Sequence, residues 1–503
     1  MFTSFLIPSV FEGVRARHLC VFYKQLGAFG RAQMSFVGES AYFESPAALE
    51  CAGRHEWAPS WRNTYDYEPP TDLNGVTWRA LPDDLLAPRL RRTGSSWKLY
   101  GQLVTKRLPE LESAFATALD GLAGQSRIDA VFLFANNPSV SQVAAMRRLP
   151  VVHNEFGPLR PPDYVMTAYW DRGGVSHHSE AARRYQAFRR AATVARVPVL
   201  GRDEILQVLR RTPLPEAPPA QHAPFRVGVA LQGDDNAYVH GVSGLDLLSM
   251  ARQQHAASEL LVRYHAGSMA HYIDGLGVRD TSPSATAFIQ RCESVITVSS
   301  GTAFEAMLLG RRAIVVGDSP FAIAADRRLE SPTRRGDAER LRALNFLAFG
   351  YLVPGALMFD PAYVRWRLTG PSELDIYRHH QRWYRAQLLA TPAPDAPMAA
   401  LAAAAKLLDA VPNGVGPTPA VVFGAGAATP DVIAQLRSGR FAVRAVFDND
   451  VGKWGRRLAG VPIEQPAFCA DASVIVSSLT HADAIVGQLR GMGYPAERIL
   501  RLR

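Results

Sequence analysis

The sequence predicts an α/β protein built on parallel sheets, and three observations predict it. Short apolar runs of strand length recur along the chain, and each is followed by a turn and a helical pattern. The 503 residues, 48% apolar and 20% charged, suffice for roughly three domains with buried cores. The runs are residues 128–134, 198–200, 226–231, 294–299, 313–317, 419–423, 441–447 and 473–477. Apolarity without alternation marks strands buried on both faces, and intervening helices are the crossovers that parallel strands require.

Proline divides the chain. Residues 212–224 (TPLPEAPPAQHAP) separate a first half from a second, and residues 391–397 (TPAPDAP) precede an alanine-rich segment, 398–410, that reads as a linker helix. The expected divisions are 1–215, 216–390, a linker over 391–416 and a C-terminal domain over 417–503. There are 55 basic and 46 acidic side chains, a net charge of +9, but 50 of the basic ones are arginines spread along the chain, so no nucleic-acid partner is expected. The densest group, Arg89, Arg91, Arg92 and Lys98, reads as a solvated surface, with anionic lipid or a polyanionic substrate as the alternative. Aromatic residues Trp57, Trp61, Tyr65, Tyr67, Trp78 and Trp97 read as core, or as a stacking platform for acceptor sugar. Four scattered cysteines without a C-x-x-C pair predict neither disulfides nor a structural metal. No apolar run approaches the roughly 18 residues of a membrane span. The opening MFTSFLIP lacks a basic start and is broken by Pro8, so no signal peptide is expected and the cytoplasm is the expected compartment.

Polar groups gather at strand ends, where open α/β sheets bind ligands. The clearest unit is 294–317: a strand, then Ser299-Ser300-Gly301-Thr302, a helix over 303–309 stopped by Gly310, and a second strand. Its hydroxyls and N–H groups can hold an anion, although an ordinary helix cap uses the same residues. Gln232-Gly233-Asp234-Asp235-Asn236 closes the strand 226–231; its carboxylates suit a nucleophile or a general base, or form an Asx-turn. His265 ends another apolar run, where an imidazolium can bind phosphate, yet a lone histidine is as a rule structural. In the first half, Glu155-x-Gly157-x-x-Arg160-Pro161 offers Glu155 as acid or base and Arg160 as a clamp for an acidic substrate; the plain alternatives are a capping glutamate and a surface arginine.

In this order and spacing, Glu155-x-Gly157-x-x-Arg160-Pro161, the turn at 232–236, His265, the block Ser299-Ser300-Gly301-Thr302-x-Phe304-Glu305-Ala306-x-Leu308-Leu309-Gly310 and Phe349-Gly350-Tyr351-Leu352-x-Pro354 resemble the bacterial Kdo transferases of capsule and lipopolysaccharide O-antigen assembly. The resemblance covers roughly residues 130–390 and is strongest over 299–317. It implies a GT-B-like pair of Rossmann-type domains and a glycosyltransferase that moves Kdo, an eight-carbon acidic sugar, from CMP-Kdo with retention into a β-linkage. It further implies that Ser299, Ser300, Gly301 and Thr302 cradle the CMP phosphate with His265 opposite, that Gln232 and Asn236 line the donor site, and that Glu305 lies near the ribose. The family's His-Pro is His265-Ala266 here. A carboxylate of the acidic turn would attack the anomeric carbon; the register between Asp234 and Asp235 stays open, with Asp234 favoured. Glu155 would be the second group that retention by double displacement requires. No cofactor and no metal ion are expected, because His265 and backbone N–H groups can offset the charge on departing CMP. The expected partners are a CMP-sugar donor and an oligosaccharide or lipid-linked acceptor, with peripheral contact at the inner membrane or with polysaccharide assembly enzymes. Rival readings are a transferase for another CMP-ulosonic sugar of sialic-acid type, an NAD-dependent sugar oxidoreductase, and a non-catalytic assembly scaffold.

Residues 419–450 read as a small Rossmann-like unit: a strand, Gly424-x-Gly426-x-x-Thr429, a helix, and a strand ending in Asp448-Asn449-Asp450. With Lys453-Trp454-Gly455 and Gly460-Val461-Pro462 it resembles accessory modules of sugar-modifying enzymes. Thr429 replaces the third glycine of the dinucleotide fingerprint, so docking, oligomerisation or a vestigial nucleotide site is expected, and Asp448-x-Asp450 reads as a turn.

Overall fold

The computed structural model describes residues 1–10, 14–46, 67–212, 214, 220–232, 241–265, 275–330, 336–390, 418–425, 429–438, 441–477 and 482–501. Two of its sheets belong to a unit formed by Met1–Gln387, and a third belongs to a unit formed by Leu388–Arg503.

The first sheet contains β1 (Phe2–Phe5), β2 (Met34–Glu39), β3 (Thr77–Leu81), β4 (Ala130–Phe134), β5 (Val151–Phe156) and β6 (Thr167–Asp171) in the order β6-β5-β4-β1-β2-β3. Strands β1 to β5 run parallel, and β6 pairs antiparallel with β5. Every side chain of β4, AVFLF, is buried. Phe132 and Phe134 pack with Phe2, Phe22 and Phe36 on one face, while Val131 and Leu133 pack with Phe5, Val37, Leu111 and Phe115 on the other. This two-sided burial explains the unbroken apolar run.

The second sheet contains β7 (Phe225–Ala230), β8 (Leu260–Arg263), β9 (Val278–Arg279), β10 (Cys292–Thr297) and β11 (Arg312–Val315) in the order β11-β10-β7-β8-β9, parallel throughout. Two helix-wrapped sheets of this kind form the expected GT-B-like pair. The expected strand at 198–200 is instead a loop. At Leu200, Asn345 takes the place of a sheet partner, accepting from the N–H at 3.0 Å and donating to the carbonyl at 2.8 Å.

The chain crosses between the halves three times. Helices Ala181–Val194 and Arg202–Leu209 follow the first sheet but bury Tyr185, Phe188, Ile205 and Leu209 in one cluster with Phe288, Val295 and Phe304 of the second half. After the second sheet, a π-helical turn, Leu347–Tyr351, leads to β12 (Val353–Pro354), which pairs antiparallel with β6. Helix Pro361–Leu368 then packs on the first sheet's cluster, and helix Glu373–Ala390 returns Leu374, Tyr377 and Tyr384 to the other.

Buried polar groups pin this return. Arg184, 3% exposed, donates to Glu373 at 2.9 Å and to the carbonyls of Trp170 and Gly350 at 3.3 and 3.1 Å; Asp171 lies 4.0 Å away. Burial holds the Asp171 carboxyl above its usual range although Arg184 opposes this. A second chain runs from Arg367 to the Tyr363 hydroxyl at 2.6 Å, on to His380 Nε2 at 2.7 Å, and from His380 Nδ1 to the Phe349 carbonyl at 2.8 Å. The Phe349-Gly350-Tyr351 motif is thus a joint whose carbonyls are held from two sides.

In the third sheet, β13 (Thr418–Phe423), β14 (Phe441–Phe447), β16 (Val461–Glu464), β17 (Ser473–Val476) and β18 (Ile499–Arg501) run parallel in the order β16-β14-β13-β17-β18, and β15 (Arg457–Leu458) pairs antiparallel at the β16 edge. This is a Rossmann-like order. Asp448 accepts from the N–H groups of Ala425 and Asp450 at 2.7 and 2.8 Å and from Lys453 Nζ at 3.1 Å, which makes it the centre of a turn. Burial opposes ionisation there, but these donors hold its carboxyl below the usual range. Gly426, the linker at 391–416, Trp57, Trp61 and Tyr65 lie outside the described residues. Tyr67 is buried, whereas Trp78 and Trp97 are exposed, and Trp78 stacks on Phe43 at 4.4 Å.

Arg184→Ala leaves Asp171 buried and Glu373 half-buried without their cation, so it is expected to cost roughly 3–5 kcal/mol. Arg147→Ala, which breaks the more exposed pair with Asp120, is expected to cost about 0–1 kcal/mol. Urea denaturation of the two variants measures the difference.

Candidate active site

The carboxyl end of β5 presents Glu155, half-buried and opposite Tyr169 of β6. Its Oε1 accepts from the Phe156 N–H at 3.0 Å. The turn that follows is fastened by Thr167: the Gly157 N–H donates to the Thr167 carbonyl at 2.7 Å, and the Leu159 N–H donates to Thr167 Oγ1 at 3.2 Å. A Cβ on Gly157 would stand 2.3 Å from Thr167 Oγ1 and 2.7 Å from its carbonyl carbon, so only glycine fits. Arg160 is exposed, with Nε donating to the Gly157 carbonyl at 3.1 Å and the guanidinium 5.8 Å from the Phe156 ring centre.

In the second half, three neighbouring strands bring their ends together. Gln232, two residues beyond β7, accepts the Ser299 N–H at 2.8 Å and donates Nε2 to Ser299 Oγ at 3.2 Å. Ser299 therefore braces the ends of β7 and β10 and is buried, while Ser300, Gly301 and Thr302 are half-buried. Ser300 Oγ accepts the Thr302 N–H at 3.2 Å. His265, exposed, ends the β8 segment on the other side of β7. Adjacent strands lie about 4.8 Å apart, which sets β8 roughly 10 Å from β10. Asp234, Asp235 and Asn236 follow Gln232 and lie outside the described residues.

The two halves touch at glycine. A Cβ on Gly301 would come within 2.3 Å of Pro158 Cβ and 3.1 Å of its Cα, so the turn after β5 and the turn after β10 meet because Gly301 has no side chain. Glu305, expected near the ribose, is 7% exposed and braces this contact: its Oε1 accepts from the Tyr164 hydroxyl at 3.1 Å and from Thr286 Oγ1 at 2.7 Å. Burial pushes its carboxyl up, and the two hydroxyls only partly offset this. The buried position of the helix face Ala303–Ala306 is what turns Glu305 inward.

A second contact escaped the sequence reading. The loop after β6 carries His177 and His178; the His178 N–H donates to Asp318 Oδ2 at 3.1 Å, and His177 Nδ1 lies 3.6 Å from the same oxygen. Ser176 and His178 adopt left-handed φ of 59° and 61°. The loop is closed by Asp171, which accepts from Gly173, Gly174 and Glu180 N–H groups, and by Asn136, which pairs with both backbone groups of Val175. Burial pushes the nearby His153 imidazole down to about 4, so it is neutral near pH 7. The doublets Gly173-Gly174 and His177-His178 are the signal that marks this loop in the sequence.

Residues 4–180 match the Glycosyltransferase 99 family N-terminal domain. The match ends where helix Ala181–Val194 departs toward the second half. Among solved structures, the chain is similar to two KpsC proteins of Thermosulfurimonas dismutans. With the β-Kdo 2,4 transferase it shares 18% identity over 48% of this chain and 88% of that one, with a TM-score of 0.29. With the β-Kdo 2,7 transferase it shares 15% identity over 52% and 89%, with a TM-score of 0.32. Spinosyn rhamnosyltransferase SpnG aligns at 15% identity over 76% and 100%, with a TM-score of 0.26. No curated protein matches the sequence.

Two outcomes are expected here. Gly301→Ala separates the two turns; displacements near 1 Å typically cost about a hundredfold in rate, so sugar transfer should fall by that order while circular dichroism keeps the native spectrum. Because the Glu305 carboxyl is raised in the folded protein, its contribution to stability is full below its unfolded pKa and is lost as pH rises through the folded value. Glu305→Gln keeps an acceptor oxygen and removes the charge, so its thermal midpoint should gain on the wild type as pH rises, and the gain should vanish toward pH 4.

Proposed function

We propose that the protein is a retaining β-Kdo transferase that takes Kdo from CMP-Kdo and places it on a glycan acceptor of bacterial surface polysaccharide, O antigen or capsule. The observation that carries the proposal is the contact between the Glu155-x-Gly157-Pro158 turn and the Ser300-Gly301-Thr302 turn. It joins two motifs of the Kdo-transferase resemblance, inside a unit whose first part matches a glycosyltransferase domain.

In this reading Ser300, Gly301, Thr302 and His265 receive the phosphate of the donor, with Ser299 and Gln232 fixing the strand ends beneath them. A carboxylate of Asp234 or Asp235 attacks the anomeric carbon as its bond to the phosphate oxygen breaks, and CMP departs with the electron pair. Glu155 then takes the proton of an acceptor hydroxyl as that oxygen displaces the carboxylate. Two inversions give net retention. Arg160, on the flank of the Glu155 turn, pairs with the carboxylate of the sugar.

Intact-mass spectrometry after incubation with CMP-Kdo tests the assignment. The wild type and Glu155→Gln should carry one Kdo residue, with the variant accumulating it because acceptor deprotonation is slowed, typically by 10²–10⁴-fold. Asp234→Asn should carry none. Adduct on Asp234→Asn but not on Asp235→Asn moves the nucleophile by one residue. Full turnover in both, or in Glu155→Gln, removes the assigned roles, and CMP release from sialic-acid donors alone moves the donor to that class.

A further inference from the structure

We infer that the corner formed by helices Ala87–Thr93 and Ser96–Thr105 docks the protein on the surface of an anionic lipid bilayer. Residues 85–109 hold six cationic side chains and no carboxylate. The structure sorts these six. Arg89 is paired with Glu110 through two bonds at 2.5 and 3.1 Å, and Arg107 with Glu112 through two at 2.7 and 2.8 Å. Arg91, Arg92, Lys98 and Lys106 are exposed and make no ion pair among the described residues. Between them stands Trp97, 39% exposed.

Local geometry gathers these groups. Helix Ala87–Thr93 buries none of its side chains fully and ends at Gly94, whose φ of 61° is left-handed. Ser95 then caps the next helix by accepting the Lys98 N–H. Arg91 and Arg92 in the last turn of one helix and Trp97 and Lys98 in the first turn of the next therefore share one corner. Its underside is fixed, because Leu99, Leu103 and Val104 are buried with Leu111, Phe115, Val140 and Val143. The nearest preceding carboxylates are Asp83 and Asp84; Asp83 is engaged by the Ser40 hydroxyl at 2.7 Å.

The corner also has a defined place in the chain. It lies between the carboxyl end of β3, at Leu81, and helix Pro109–Ala123, which runs back toward the start of β4. The helix pair thus branches from the end of the first sheet where Glu155 and Gly157 stand. An indole, apolar in body with one N–H donor, suits the headgroup region, and neighbouring cations add attraction to acidic lipid. Among the described residues no helix is long and apolar enough to cross a membrane, so the contact proposed is with the surface.

Flotation of the full-length protein, without donor or acceptor, with vesicles of phosphatidylcholine alone or mixed with phosphatidylglycerol tests this independently of the sugar chemistry. Binding is expected to the mixed vesicles only, weakening as salt rises. Each cation near such a surface contributes about 1 kcal/mol, roughly a fivefold factor, so Arg91→Glu, Arg92→Glu and Lys98→Glu together should lower partitioning by about a hundredfold or more. Arg190→Glu with Arg196→Glu, exposed cations elsewhere, should leave it unchanged. Trp97→Ser, a milder change to be read if the triple variant loses its native circular dichroism, should also weaken binding. An unbound wild type, equal binding by the corner variants, or an equal loss in the control would overturn the inference. So would capture of a soluble polyanion through these residues with no vesicle binding.

Discussion

The Cβ that Gly301 lacks would lie 2.3 Å from Pro158, and the one that Gly157 lacks would lie 2.3 Å from Thr167. The first gap lets the turn after β10 meet the turn after β5, the second lets that turn close on β6, and the rest of the candidate site is arranged around this approach. Thr167 holds the first turn through its backbone and its hydroxyl, and Gln232 holds the strand end that leads to the second. A double displacement needs its two catalytic groups only about 5 Å apart in ordinary retaining enzymes, a separation that loops from different sheets reach only when nothing intervenes.

The charges buried near this contact are each given a structural task. Glu305 binds Tyr164 and Thr286 across the two halves, and Arg184 binds Glu373 and two carbonyls where the chain returns to the first sheet. Such groups add little net stability compared with apolar packing, but once one partner is removed the other is left costly and uncompensated. Their value is in fixing one arrangement of the halves. The groups with proposed chemistry, Glu155, Arg160, His265 and Ser300, are half-buried or exposed, where a substrate can reach them.

Much of the architecture was legible in the sequence because strands such as β4 and β10 are buried on both sides and so appear as unbroken apolar runs. The strands β1 and β2 were not, since FTSF and MSFVGE interleave hydroxyls with the apolar residues; two of these, Thr3 and Ser35, pair with each other at 2.9 Å in the fold. The run at 198–200 misled for the opposite reason: three residues have strand composition, but they pair with no strand, and Asn345 takes both backbone groups of Leu200. At the site, glycines and hydroxyls at strand ends carried the signal for residues 299–302, while the inward turn of Glu305 depends on Tyr164 and Thr286, 141 and 19 residues away. Likewise, the His177–Asp318 contact and the exposure of Trp97 are products of tertiary packing that no local pattern records.

The reaction proposed for this junction is Kdo transfer with retention. Its most direct test is the anomeric configuration of the product formed from CMP-Kdo and an oligosaccharide acceptor, assigned by NMR. Retention predicts a β-linked Kdo. An α-linked product, or transfer from donors that lack the ulosonic carboxylate in preference to CMP-Kdo, would contradict it.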